Sequence, residues 1–414
     1  MRPLNRIIVM CGALGATLLP AVTLAAPATT HWVGTWASSQ QIPEPNNVLP
    51  DADMTDATLR QVVHSSIGGP RVRVRISNAF GTAPLVIGTA HIARAASPAS
   101  AAIQPGSDRA LTFDGRPGVV IPAGADYWSD PVDLTVPALS DLAVSLYLPQ
   151  APARQTGHPG SRSTSYYLHG DQTGAADLPG AKTIEHWYAL AGIEVAASPK
   201  AGAVVTLGDS ITDGHGATTN GNDRWPDDLA RRLQANPATR EIAVLNHGIG
   251  GNRLLQDGLG PNALARFDRD VLAQAGVRTL IVLEGINDLG TLTREHPVSP
   301  EDHTQLQQAL IAAYGQIIAR AHAHGIKVIG ATITPDGGSD YYHPDAANEA
   351  DRQTLNSWIR QPGHFDAVVD FDAAVRNPAD PTKLRAEFDS GDHLHPSAAG
   401  YKVMAAAIPL ALLQ

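Results

Sequence analysis

From Trp32 to about Val195, apolar positions recur mostly with a period of two. In Arg71-Val72-Arg73-Val74-Arg75-Ile76, arginines alternate with β-branched residues, the pattern of a strand with one buried face. Leu142-Ala143-Val144-Ser145-Leu146-Tyr147-Leu148 repeats it, and Leu85 to Ile92, Val119 to Pro122 and Val132 to Val136 are further candidates, divided by turn-forming clusters such as Gly68-Gly69-Pro70. The pattern predicts a jelly-roll-like β-sandwich. Past the small, polar stretch Ala196 to Gly202 the rhythm changes, and short apolar runs alternate with helical patterns. Strands are expected at Ala203 to Leu207, Ile242 to Leu245, Thr279 to Leu283, Lys327 to Ile333 and Ala367 to Phe371. Leu306, Leu310, Tyr314, Ile317 and Ala321 share one face of a helix that should start after Ser299-Pro300. This βαβ alternation predicts a parallel sheet between helices.

The amino terminus adds a third part. Arg2 and Arg6 precede an apolar stretch from Ile7 to about Leu24, which runs into the small residues Ala25-Ala26-Pro27-Ala28, as in an export signal. The expected organisation is a signal peptide over 1–28, a β-sandwich over 29–198 and an α/β domain over 199–414, with export to the periplasm or the medium and no membrane span after signal removal. The single cysteine, Cys11, lies inside the signal, so thiol chemistry is excluded from the mature chain. The net charge of −10 gives no basic footprint for nucleic acid.

In an open parallel sheet, residues just beyond the carboxyl ends of the strands share one crevice. Gly208-Asp209-Ser210 follows the first expected strand of the second half, Asn246 to Asn252 the second and Glu284-Gly285-Ile286-Asn287-Asp288 the third; the loop after the fifth carries Asp392 and His395. Acyl transfer needs a hydroxyl nucleophile, an imidazole base, a carboxylate to orient it, and oxyanion donors. Ser210, His395 and Asp392 can fill the first three roles. The N–H groups of Ser210 and Gly251 with the amide of Asn287 can form the oxyanion hole.

On these blocks the chain resembles the GDSL or Ser-Gly-Asn-His hydrolases: Gly208-Asp209-Ser210, Gly251, Gly285-Ile286-Asn287-Asp288 and Asp392-x-x-His395 stand in the family's order. The resemblance implies a flavodoxin-like α/β/α domain with five parallel strands and a serine esterase without a cofactor. Trp32-Val33-Gly34-Thr35-Trp36 and the Ser77 to Gly81 turn resemble a subset of these hydrolases that carries an extra N-terminal β-domain. Two departures stand out: Ile211 where leucine is usual, and His247 where many relatives have a small residue, placed to alter the crevice wall.

Other chemistries fit less well. His322 and His324 diverge at i, i+2, no His-Glu-x-x-His pattern occurs, and no metal is expected. Gly-x-Ser-x-Gly is absent, against the ordinary α/β-hydrolase fold. Asp209 and Asp213 read as loop-holding residues, His393 as an exposed loop residue, and Arg71, Arg73 and Arg75 as a solvated or ion-paired strand face. Thr291 to His303 and Gly337 to Asn348 read as polar crevice borders, favouring short-acyl esters of small polar alcohols or polysaccharides over long-chain lipids. A general esterase or lipase, an acyltransferase with the same triad, and a non-catalytic glycan-binding protein stay open. Every named catalytic group follows residue 203, so the β-domain is expected to be dispensable for the covalent step.

Overall fold

The structure, a computed structural model, describes residues 30–414. The expected export signal, with Cys11, lies outside the described residues. Among the described residues, no helix is long and apolar enough to cross a membrane.

The first half is built of antiparallel sheets. In one, Leu190–Ala196 lies between Trp32–Ala37 and Gly69–Ser77, and Asp126–Trp128 and Val132–Val136 also pair with Gly69–Ser77. The other runs in the order Lys182–Ile184, Ser165–His169, Ala57–His64, Asp141–Leu148, Thr89–Arg94, Arg109–Ala110. The alternation does what its period requires: Val72, Val74 and Ile76 on one sheet and Leu142, Val144 and Leu146 on the other are fully buried in a shared core. The arginines between them divide. Arg71 pairs with Asp133, and Arg73 pairs with Glu194 between the rings of Trp32 and Trp128. Arg75, unlike a solvated residue, is buried and donates to Gln274 of the second half. Leu85 to Ile92, read as one strand, is two: Leu85–Ile87 and Thr89–Arg94.

The second half holds five parallel strands, β1 (Gly202–Gly208), β2 (Ile242–Gly248), β3 (Val277–Leu283), β4 (Lys327–Ala331) and β5 (Ala367–Val369), in the order β2-β1-β3-β4-β5. This is the flavodoxin-like order, with its switch point beside β1. Its helices include α1 (Ser210–Asp213), α2 (Trp225–Gln234), α3 (Ile286–Thr293), α4 (Pro300–Ala323), α5 (Ala346–Arg360) and α6 (Ala398–Ala406), with shorter ones at Ala263–Phe267 and Phe371–Val375. Helix α4 starts as its sequence dictates: Ser299 Oγ accepts from Asp302 N–H, and the Asp302 carboxylate accepts from Ser299 N–H. The fifth strand ends before Phe371, because Asp370 caps a short helix beginning there.

The two halves are not separated by solvent. Val33, Trp36 and Val74 belong to the same continuous apolar cluster as Leu245, Val205 and Ile281. Backbone bonds cross as well, with Gly34 N–H donating to Ala275 C=O and Val244 N–H to Ser66 Oγ.

Candidate active site

Strand β1 ends at Gly208, and the chain turns at once into α1. Asp209 caps that helix by accepting from Ile211 N–H at 2.8 Å, which leaves Ser210 as its first residue. A side chain at position 208 would meet Thr212 Oγ1 at 2.1 Å and the Leu283 carbonyl at 2.8 Å, so only glycine permits this approach to β3. Burial pushes the Asp209 carboxyl up to about 7 against the opposing Ile211 N–H.

Ser210 Oγ lies 2.8 Å from His395 Nε2, and His395 Nδ1 lies 2.6 Å from Asp392 Oδ2. Asp392 Oδ1 accepts from the N–H groups of His395 and Leu394 and from Ser390 Oγ. Partial burial raises the Asp392 carboxyl, but donation from the His395 ring and backbone outweighs it and holds the group well below the usual carboxylate range. An ionised Asp392 therefore faces Nδ1, leaving Nε2 directed at the serine.

Gly251, on the loop after β2, has φ +68°, and a Cβ there would also strike Leu259 Cδ1 at 2.8 Å. Asn287 opens the first turn of α3. Its Nδ2 donates to Asn252 C=O at 2.7 Å, and its Oδ1 accepts from Tyr342 Oη at 2.6 Å; the Asn252 carbonyl can only accept, so it fixes which end of the amide is the donor, and the tyrosine holds the other end. Asp288 accepts from Leu254 and Leu255 N–H, tying the glycine loop to α3. Ser210, Gly251, Asn287, Asp392 and His395 thus line one cleft of about 620 Å³. Such a set can pass a proton from a hydroxyl to an imidazole beside fixed N–H donors.

Residues 206–403 match the model of the GDSL-like lipase/acylhydrolase family. This part of the chain is a member of that family. No curated protein matches the chain. Similar solved structures include a GDSL-like lipase from Bacteroides thetaiotaomicron (21% identity, 51% of this chain and 87% of that one, TM-score 0.36). A carbohydrate acetylesterase from Sinorhizobium meliloti matches at 14% identity over 51% of this chain and 100% of its own, TM-score 0.39. An acetyl xylan esterase from Geobacillus stearothermophilus matches at 23% over 51% and 93%, TM-score 0.37.

Around this GDSL-type centre some sequence expectations need correction. His247 does not line the cleft: it is fully buried, and its Nδ1 bonds Ser39 Oγ at 3.0 Å. The expected polar border at Gly337 to Asn348 also carries Tyr341 and Tyr342 into the cleft wall, joined there by Leu259 and Leu394. Asp213 does hold its loop, through His158 Nε2 of the first half at 2.8 Å. His393 is exposed on its loop and bonds Asp389. His322 pairs with Asp366 at 2.8 Å, and its neighbour His324 folds back onto its own helix end.

One cleft residue went unnoticed in the sequence. His215 lies with its ring centroid 4.0 Å from that of His395 and its Nε2 3.6 Å from Asp392 Oδ2. With Asp392 and His395 it offers ligand atoms all within 4.8 Å of one another. Arg162 Nη2, however, lies 2.9 Å from its Nδ1; since guanidinium can only donate, Nδ1 is the acceptor and the neutral ring keeps its proton on Nε2, which disfavours metal ligation there. Nothing in the spacing of sixteen histidines singles this one out; only the fold brings it to the triad.

Proposed function

We propose that this GDSL-family chain is an exported serine carboxylic-ester hydrolase acting through an acyl-enzyme on short-acyl esters of polar alcohols, acetylated carbohydrates among them. The observation that carries the reading is the unbroken chain Ser210 Oγ, His395 Nε2, His395 Nδ1, Asp392 Oδ2, at 2.8 and 2.6 Å, on the wall of an open cleft. Ser210 gives its proton to His395 Nε2 as Oγ bonds the acyl carbon, and the carbonyl oxygen takes the negative charge. The N–H groups of Ser210 and Gly251 and the Nδ2 of Asn287 stabilise that oxygen. Collapse breaks the ester C–O bond, the alkoxide leaves with the proton from Nε2, and water activated by the same nitrogen releases the acid.

Because one oxyanion donor contributes about 10²–10³ in rate, Asn287→Ala is expected to lose about that much, chiefly in kcat. The Tyr342 bond supports it: the amide is already oriented in the free enzyme and pays no reorganisation in the transition state. Steady-state kinetics on p-nitrophenyl acetate measure this, and a loss below tenfold would remove Asn287 from the hole.

The short-acyl preference follows from the cleft's few apolar side chains. Leu259, Tyr341, Tyr342 and Leu394 can cover an acetyl or butyryl group, whereas a long chain needs a continuous groove to gain its roughly 0.8 kcal/mol per buried methylene. Tyr341, 56% exposed, offers a flat apolar face to the ring of a sugar. A p-nitrophenyl series from acetate to palmitate is expected to peak at short chains, run beside acetate release from acetylated xylan with and without an added alcohol acceptor. A maximum at eight carbons or more would overturn the short-acyl claim, ester cleavage without release from any glycan would leave a general esterase, and an ester formed on the acceptor would identify a transferase.

A further inference from the structure

Four contacts bring the first half of the chain onto the segment that follows the nucleophile. Gly160 lies so close to Asp213 that a Cβ would stand 1.9 Å from its Oδ2. His158 bonds Asp213 Oδ1, and Arg224 bridges Asp213 C=O and Ser161 C=O. Arg162 then reaches past α1 to Nδ1 of His215, while Tyr401 Oη donates to the His215 carbonyl at 2.5 Å. Residues 157–162 thus wrap the stretch Asp213 to His215, whose last side chain touches two members of the triad.

The geometry points to Arg162 and His215 as positioning residues for the reaction proposed above: Arg162 holds His215 as the neutral Nε2–H tautomer, and that ring covers His395 and presents its N–H side to Asp392. The inference rests on the esterase reading. The Nε2–H of neutral His215, 3.6 Å from Asp392 Oδ2, is beyond hydrogen-bond reach and leaves that oxygen to His395 Nδ1 at 2.6 Å. A charged one would compete for the same oxygens and place a cation 4.0 Å, ring to ring, from the imidazole that must itself become cationic. The groups facing His215 are Arg162 from the N-terminal loop, Asp392 and His395 from the loop before α6, and Asp213 from its own segment. Desolvation first, then His395 and Arg162, push its pKa down to about 4, out of the working range.

Arg162→Met removes the donor that selects the tautomer and one of the charges that keeps the ring neutral. Desolvation and His395, the larger causes, remain, so the pKa of His215 rises only part of the way back and the ring becomes partly charged at acid pH. The expected result is a loss of kcat, relative to wild type, that is about twofold or more greater at pH 5 than at pH 8, with KM little changed. Adding His215→Phe keeps an aromatic cover but removes the titrating group, and the pH-dependent part of the loss should vanish. A parallel pH profile in Arg162→Met, or a double variant that keeps the extra acid limb, would overturn the relay.

The wild-type protein gives a second readout that needs no variant to fold: ring ¹⁵N–¹H correlation should show His215 with its proton on Nε2 and none on Nδ1. The opposite tautomer would overturn the proposal with the esterase reading intact. That reading is checked separately by fluorophosphonate labelling of wild-type Ser210. Its absence would sink the esterase and the relay together, whereas a labelled enzyme with the wrong tautomer sinks only the relay.

Discussion

Ser210→Ala is expected to lower kcat by about 10⁵–10⁶ while leaving the protein folded. The size follows from the mechanism: without Oγ there is no acyl-enzyme, and only substrate binding and the oxyanion donors remain to assist attack by water. The fold should be indifferent, because Ser210 Oγ has its bond to His395 and alanine is well suited to the first turn of α1. An ordinary thermal transition alongside the kinetic loss would separate chemistry from stability. A fluorophosphonate should modify wild-type Ser210 alone, identified by mass spectrometry of the peptide, and should leave the alanine variant unlabelled. Turnover within tenfold of wild type, or a label on another serine, would remove Ser210 from the nucleophile's place.

Much of this centre was legible because each block follows directly on a strand of a parallel sheet. Once the alternation gave β1, β2 and β3, the switch-point rule placed Ser210, Gly251 and Asn287 in one crevice without further information. Asp392 and His395 needed only their i, i+3 spacing on a single loop. What surrounds them was not legible, because it depends on contacts between the halves that no periodicity encodes. His247 reads as a crevice residue by its neighbours in sequence, yet Ser39, from the far side of the chain, holds it in the interior. Tyr341 and Tyr342 sit in a polar segment whose composition conceals that both rings line the cleft. The expectation that the β-domain is dispensable for the covalent step was formed without the contacts of Arg162, His158 and Ser39 to His215, Asp213 and His247, which no periodicity shows. An alternating strand declares which face is buried, but not that the second half of its own chain lies beyond its edge.

Ser39 also belongs to a buried charge cluster beneath the site, where the second large effect is expected: Arg266→Met should destabilise the protein by about 3–5 kcal/mol. Arg266 is fully buried in the short helix Ala263–Phe267. Its guanidinium donates to Gly208 C=O at the end of β1, to His247 C=O at the end of β2, to Asn252 Oδ1 on the glycine loop, to Ser39 Oγ, and to the carboxyls of Asp270 and Glu284. Methionine fills the volume, and Gly208 C=O keeps Ile249 N–H, Ser39 Oγ its bond to His247 and Asp270 its bond to Arg269, but His247 C=O, Asn252 Oδ1 and Glu284 lose their Arg266 donor, at about 1–3 kcal/mol for each that water cannot reach. The two acids should respond differently. Burial raises Asp270, yet the always-charged Arg269 and Arg266 outweigh it and keep the group well below the usual range, so it is ionised and needs its cations. Burial and the neighbouring Asp209 push Glu284 well above the usual range, so it retains a proton. Glu284→Gln should therefore cost about 1 kcal/mol or less, because it replaces a neutral carboxyl by a neutral amide of the same shape. Adding Asp270→Asn to Arg266→Met should recover part of the loss by removing the stranded charge. Arg266→Lys should not rescue it, since an ammonium cannot span acceptors spread along the planar guanidinium fork. Denaturant unfolding of the four variants measures these differences, and a loss below about 1 kcal/mol in Arg266→Met would show that the strand-end carbonyls find other donors.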